Sequence, residues 1–173
     1  MDNKDTVTML EFSDESTKNL FKQSVWNLLE VAYSSVKGGL NFENIDAMVN
    51  ETYKWILGFD QDKLLCVILS KKKSGEKIVA IGVTDNPNLR NRAKTLLATV
   101  LATILKRAWI EVSENAERFI LKHVGEGQVV PNYLAERLTK KPIKSLCSDG
   151  YHYVRTICGI EKTKLIVGTY AYN

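Results

Sequence analysis

The sequence predicts a single mixed α/β domain, and two observations carry that prediction. Three strand-like runs follow one another at residues 53–59, 63–69 and 77–83, with the turn-forming pairs Gln61-Asp62 and Ser74-Gly75 between them. That spacing is the mark of an antiparallel meander. Directly after it come a long helical pattern, a short apolar strand and a second helical pattern, an order that builds a mixed sheet. The full expected order over residues 1–173 is β-α-α-β-β-β-α-β-α, an insertion at about 125–150, and β-β.

Each element has a local reason. Thr6 to Phe12 alternates as a first strand. Ser13-Asp14-Glu15-Ser16 supplies N-cap chemistry, and Leu20, Phe21, Val25, Leu28, Leu29 and Ala32 follow at helical spacing, which extends the expected helix to Lys37-Gly38-Gly39. Asn44 to Asn50 reads as a short second helix. The third meander strand, Ile78 to Val83, is almost wholly apolar and is expected to be buried on both faces. Leu89 to Arg107 places Leu96, Leu97, Val100, Leu101, Ile104 and Leu105 on one side of a long helix. Ala108 to Val112 is a short strand, Glu114 to His123 a helix, and Asn132 to Leu138 one or two helical turns. Tyr151 to Ile157 and Leu165 to Tyr170 are expected to form a closing hairpin joined through Gly159-Ile160-Glu161-Lys162.

Composition narrows the function classes. Hydrophobic residues at 45% and charged residues at 25% are globular averages. No apolar run approaches the ~18–20 residues that span a bilayer, and the polar start Met1-Asp2-Asn3-Lys4-Asp5 lacks signal-peptide order. A cytoplasmic protein without a membrane partner is the expectation. The net charge of +4 is spread over scattered lysines, with small clusters at Lys71-Lys72-Lys73 and Lys140-Lys141. This disfavours nucleic acid as a partner, because a dedicated binder concentrates charge on one face. Cys66, Cys147 and Cys158 form no CxxC pair and the chain has two histidines, so neither a disulfide framework nor a metal site is expected. Cys66 and Cys158 read as small core residues.

The stretch "WIEVSENAERFILKH", residues 109–123, joins an apolar strand to a helix through a polar corner. With the preceding meander and long helix, it resembles the GNAT family, the acyl-CoA N-acyltransferases, over essentially the whole chain in element order and most closely from Tyr53 to Val124. The pieces "EVSENAERFILKH", "VVPN", "DGYHYVR" and "KLIVGT" resemble, in particular, GNAT-like proteins of unassigned role from tailed bacteriophages. The resemblance implies transfer of an acyl group from acetyl-CoA, or a related acyl-CoA, to a small-molecule or protein amine. It implies that the cofactor lies where strand 77–83 splays from strand 108–112, its arm pairing like another strand. Pyrophosphate would then rest at the N-terminus of the following helix.

On that reading the cofactor-binding residues are Ile81, Val83, Arg90, Arg92, Ala93, Ser113 and Asn115. Glu111 is the candidate base and Tyr153 the candidate acid, with Tyr151 and Tyr170 as other phenols. Alternative roles stay open. Glu111 also suits a partnership with Arg118, Ser113 suits a helix N-cap, and Asp85 suits either a base or the cap of the long helix. Two features depart from the family pattern. Glycine is absent from Thr84 through Val124, where the family's phosphate loop carries it, and Ile120 stands where a tyrosine acid is sought. The other reading is therefore a GNAT-fold binding module without catalysis, phage-encoded and engaging a host or phage protein in the host cytoplasm.

Overall fold

The computed structural model of the chain describes residues 7–35, 39–73, 75–105, 108–111, 118–120, 122, 128–129, 154–157, 160–163 and 165–167. Strand β1 (Val7–Phe12) leads into helix α1 (Glu15–Ala32), helix α2 (Ile45–Glu51), and the strands β2 (Lys54–Asp60), β3 (Lys63–Lys72) and β4 (Glu76–Val83). Helix α3 (Arg90–Ile104) and strand β5 (Ala108–Glu111) follow. Short strands β6 (Gln128–Val129), β7 (Val154–Ile157), β8 (Ile160–Thr163) and β9 (Leu165–Val167) complete the described elements. The larger sheet has the hydrogen-bonded order β1-β2-β3-β4-β5-β9-β6, and β7 pairs with β8 separately.

The chain divides into two compact units, one made of residues 1–35, 39–71 and 79–97 and the other of 36–38, 72–78 and 98–173. In the first, β2 and β3 pair antiparallel as the expected meander requires, with β4 next to β3 in the sheet, and β1 pairs antiparallel with β2 on the outer side. Gln61-Asp62 closes the β2–β3 turn with Gln61 at a φ of 56°, and Gly75 at a φ of 96° serves the next reversal, a conformation glycine adopts without strain. One face of these strands offers Trp55, Leu57, Val67, Leu69 and Ala80 to Val25 and Leu29 of α1 and to Met48 and Val49 of α2, and all nine are buried. On the other face, a Cβ at Gly58 would lie 2.6 Å from Leu96 Cδ2 and 2.8 Å from Cys66 Sγ. Hydrogen at that position is what admits α3. Burial pushes the Cys66 thiol up to about 12, as befits a core thiol.

Helix starts follow the cap residues. Asp14 accepts from Thr17 N–H at the start of α1, and Asn44 accepts from Ala47 N–H at the start of α2. The end of α1 departs from expectation, coming at Ala32 rather than at the glycines of 38–39. Tyr33 N–H turns back to Leu29 O, and the Ser34 hydroxyl and N–H both go to Val31 O, so the last carbonyls are satisfied one turn early. Burial also differs from expectation in the meander. β3 is the strand buried without interruption, from Leu65 to Ser70. In β4, buried Ile78, Ala80 and Gly82 alternate with half-buried Val79, Ile81 and Val83.

In the second unit, β5 pairs in parallel with the start of β4 and antiparallel with β9, and β9 also pairs with β6. The closing hairpin is therefore rearranged. β7 pairs with β8 in a register that joins Ile157 to Ile160, so residues 160–162 are strand and not connector. The apolar run Leu165–Val167 pairs instead with Trp109–Glu111. Apart from β6, the expected insertion at 125–150 lies outside the described residues, as do the helical turns expected at 132–138. Of the helix expected over 114–123, residues 118–120 and 122 are described and are helical.

A buried polar relay fastens α1 to α2 and β2. Lys18, 4% exposed, donates from Nζ to Thr52 O at 2.8 Å, just past the C-terminus of α2. Desolvation lowers the pKa of this ammonium, and Asp14 and Glu15 oppose the shift. The Thr52 hydroxyl donates to Met48 O at 2.6 Å and accepts from Trp55 Nε1 at 2.6 Å. Replacing this hydroxyl strands the indole N–H of a wholly buried tryptophan. Thr52→Val is expected to lower stability by about 1–3 kcal/mol in urea unfolding, and Thr52→Ser by clearly less. Equal stability of the valine protein would show that the relay contributes nothing.

Candidate functional site

The parallel ladder between β4 and β5 is short. It joins Glu76 to Ala108, Lys77 to Trp109 and Ile78 to Ile110, and goes no further among the described residues, although β4 continues to Val83. Successive residues of a strand point their N–H and C=O groups to opposite edges. Thr84 N–H donates to Leu65 O in β3 at 2.8 Å. Ile81 and Val83, of opposite parity, thus present their backbone groups on the edge away from β3. There Ile81 N–H donates to the Tyr33 hydroxyl at 3.1 Å.

Tyr33 reaches that edge because α1 packs closely on β4. A Cβ at Gly82 would lie 2.9 Å from Leu28 Cδ2, 3.1 Å from Leu29 Cδ2 and 3.2 Å from Ala32 Cβ. Glycine lets the last turn of α1 approach the strand, and Tyr33, the C-cap, projects beyond it. Desolvation raises the pKa of the phenol, and the hydrogen bond from Ile81 N–H offsets part of that rise.

Within the same unit, the chain from β4 into α3 makes a second arrangement of backbone donors. Asn86 N–H donates to Thr84 Oγ1 at 3.3 Å, and Asn88 N–H to Asn86 Oδ1 at 3.0 Å. Leu89 and Arg90 both donate to Asn86 O, at 3.0 and 2.9 Å. Asn86 therefore closes the turn at 87–89 that leads into α3, and Pro87 sits in that turn, where a missing N–H costs nothing. The helix begins at Arg90, beyond the reach of the cap expected at Asp85, whose side chain is exposed. Ala93 N–H returns to Leu89 O at 2.9 Å. Between these, the N–H groups of Asn91 and Arg92 meet no protein acceptor among the described residues. Two adjacent free donors at a helix start, at the positive end of its dipole, suit an anion.

The remaining expected site residues divide clearly. Arg90 is exposed at the first residue of α3. The Arg92 guanidinium is engaged by the Asp60 carboxylate at the end of β2, so its charge is anchored to the meander. The Ala93 methyl is fully buried, and with its N–H already used this residue contributes packing. Glu111 ends β5, paired with Leu165 of β9. Ser113, Asn115 and Tyr153 lie outside the described residues, as do Tyr151, Tyr170 and the expected core residue Cys158. Ile120, at the position where an acid was sought, is a wholly buried helical side chain. Sequence reasoning did not find Tyr33 or Asn86, since both act through contacts that no periodicity announces. Among the described residues, no group of three or more His, Cys, Asp or Glu side chains could hold a metal ion, and no helix is long and apolar enough to cross a membrane.

Comparison with solved structures gives the architecture its setting. The chain superposes on aminoglycoside 6'-acetyltransferase type Ii with a TM-score of 0.52, covering 92% of this chain and 96% of that one at 17% identity. The fold is an acetyltransferase fold. An aminoglycoside acetyltransferase from an uncultured soil metagenomic sample, in complex with sisomicin, matches with a TM-score of 0.51 over 75% of this chain and 96% of that one, at 13% identity. A GNAT family acetyltransferase from Elizabethkingia anophelis with acetyl-CoA bound aligns over 94% of this chain and 95% of that one, with a TM-score of 0.45 and 16% identity. No family model matches the sequence, and no curated protein matches it. Acetyltransferase folds of this kind are thus shared at sequence identities where architecture alone is preserved.

The raised pKa of Tyr33 has a measurable consequence. Its ordinary value is 10.0, and the folded protein holds the proton above that. The stabilisation is full below pH 10.0 and is lost as pH climbs through the folded value. The stability difference between wild type and Tyr33→Phe should stay level below about pH 9.5 and change above pH 10, with the wild type losing ground. Parallel stability curves through that range would contradict the assignment.

Proposed function

We propose that the protein is an N-acyltransferase that binds acetyl-CoA, or a related acyl-CoA, along the β4 edge and at the start of α3. The observation that carries this reading is the pairing of two features in one unit. The backbone groups of Ile81 and Val83 face the edge of β4 away from β3, and the N–H groups of Asn91 and Arg92 lie at the start of the helix that follows. An extended amide-bearing arm takes such an edge as a further strand. A pyrophosphate takes two adjacent helix-start donors. Arg90, exposed beside them, adds positive charge, and Arg92, held by Asp60, fixes the helix start against β2.

Acyl-CoA supplies the activated acyl group when bound. The new bond joins the amine nitrogen to the acyl carbon as the carbon–sulfur bond breaks. One proton leaves the amine and one reaches the departing thiolate. Glu111, whose strand borders the cleft that the family resemblance implies, is the proposed acceptor of the first proton, and Tyr153 is the proposed donor of the second in place of the family's tyrosine, whose position Ile120 takes. Ser113 and Asn115 are proposed to hold the arm near the thioester on the same ground. The acceptor is proposed to be an amine, as in the aminoglycoside acetyltransferases that share the fold.

A second reading, a binding module that holds the cofactor or a protein without turnover, draws support from Ile120, whose buried side chain takes the position of the expected acid. Three measurements test the readings. CoA at about 100 times its Kd should stabilise the protein by about 2.7 kcal/mol and raise Tm accordingly. Arg90→Glu should weaken binding of CoA and leave binding of pantetheine, which lacks the pyrophosphate, unchanged. Release of free thiol from acetyl-CoA with a panel of primary amines would establish turnover. Binding without thiol release would favour the module, and no shift in Tm at millimolar CoA would overturn both the site and the activity.

A further inference from the structure

We infer that Tyr33 is a built-in occupant of the cofactor edge, whose hydroxyl holds the Ile81 N–H until a ligand carbonyl replaces it. The inference rests on the reading of β4 as the cofactor edge and adds a residue that governs access to it. Three observations carry it. Ile81 N–H points to the edge of β4 away from β3, and the Tyr33 hydroxyl accepts its hydrogen bond at 3.1 Å. Tyr33 stands at the C-cap of α1, with Ser34 and Ser35 in the turn that follows, so its side chain hangs from a helix end and not from a helix interior. The close seat of α1 on Gly82 sets the reach of the tyrosine, since the atoms that would meet a Cβ there belong to Leu28, Leu29 and Ala32, the last turns before it.

The chemistry is that of exchange. A buried backbone N–H left without an acceptor is costly, so an open strand edge needs either water, a ligand or a side chain on it. The Tyr33 hydroxyl fills that need with the same kind of atom, an oxygen acceptor, that an arm amide or thioester carbonyl brings. The two acceptors compete for one donor. Binding of the arm then includes the work of displacing the phenol, and removing the phenolic oxygen should tighten binding.

The test compares wild type and Tyr33→Phe by calorimetric titration with CoA, with unfolding curves confirming that both are folded. The phenylalanine protein should bind about threefold to tenfold more tightly, the factor that one net hydrogen bond represents. Should the variant fail to fold, the structure of the wild-type protein with CoA bound decides the matter, with Tyr33 Oη expected beyond about 3.5 Å from Ile81 N and a ligand oxygen in its place. If wild type binds CoA and the variant binds equally or more weakly, or if Tyr33 keeps its bond in the complex, this inference is overturned and the functional reading stands. If both proteins are folded and neither binds CoA, the functional reading falls and takes this inference with it.

Discussion

Beyond Ile78, β4 lies beside β3 and turns the backbone groups of Ile81 and Val83 to its other edge, and that edge is the constraint around which the functional region is arranged. Backbone donors at a strand edge must find acceptors. At Ile81 the acceptor is a side chain, Tyr33. That arrangement needs α1 close to the strand, which Gly82 permits, and an early end to α1, which the bonds from Tyr33 and Ser34 provide. The alternating burial of β4 accompanies the same local design, with the continuous burial of a sheet centre passing to β3.

The start of α3 answers to a different economy of donors. Asn86 uses both its side chain and its carbonyl to take three N–H groups, and Pro87 removes a fourth from consideration. What is left over, at Asn91 and Arg92, is a pair of donors that a glycine-rich loop would otherwise supply. The absence of glycine from Thr84 through Val124 does not remove the helix-start donors. It sets them on a stiffer approach, through a turn closed by Asn86 and braced by the Arg92–Asp60 ion pair.

Much of the fold was legible because its signals are local. Asn44, Gln61-Asp62 and Gly75 punctuate the chain where the elements change, and the apolar spacing of α1 and the meander gave their faces. The misplacements have physical causes. The end of α1 was sought at the glycines of 38–39, but hydrogen bonds to Leu29 and Val31 close it first. The closing hairpin was drawn with its connector at Gly159–Lys162, since Ile160-Glu161-Lys162 is too short and mixed to show a period, and pairing with residues 154–157 decided it. Ile81 and Val83, which lie in β4, and Arg90, which opens α3, are among the site residues named from the sequence. Tyr33 is not, because a contact across 48 residues between a helix cap and a strand edge leaves no pattern in the chain.

The central claim is that one ligand engages the β4 edge and the α3 start together. The most direct measurement is the backbone amide spectrum of isotopically labelled protein during titration with CoA. The account predicts that the amide signals of Ile81, Val83, Asn91 and Arg92 move along one binding curve, with a single Kd. Saturable binding that leaves those four amides unmoved while shifting others would contradict it.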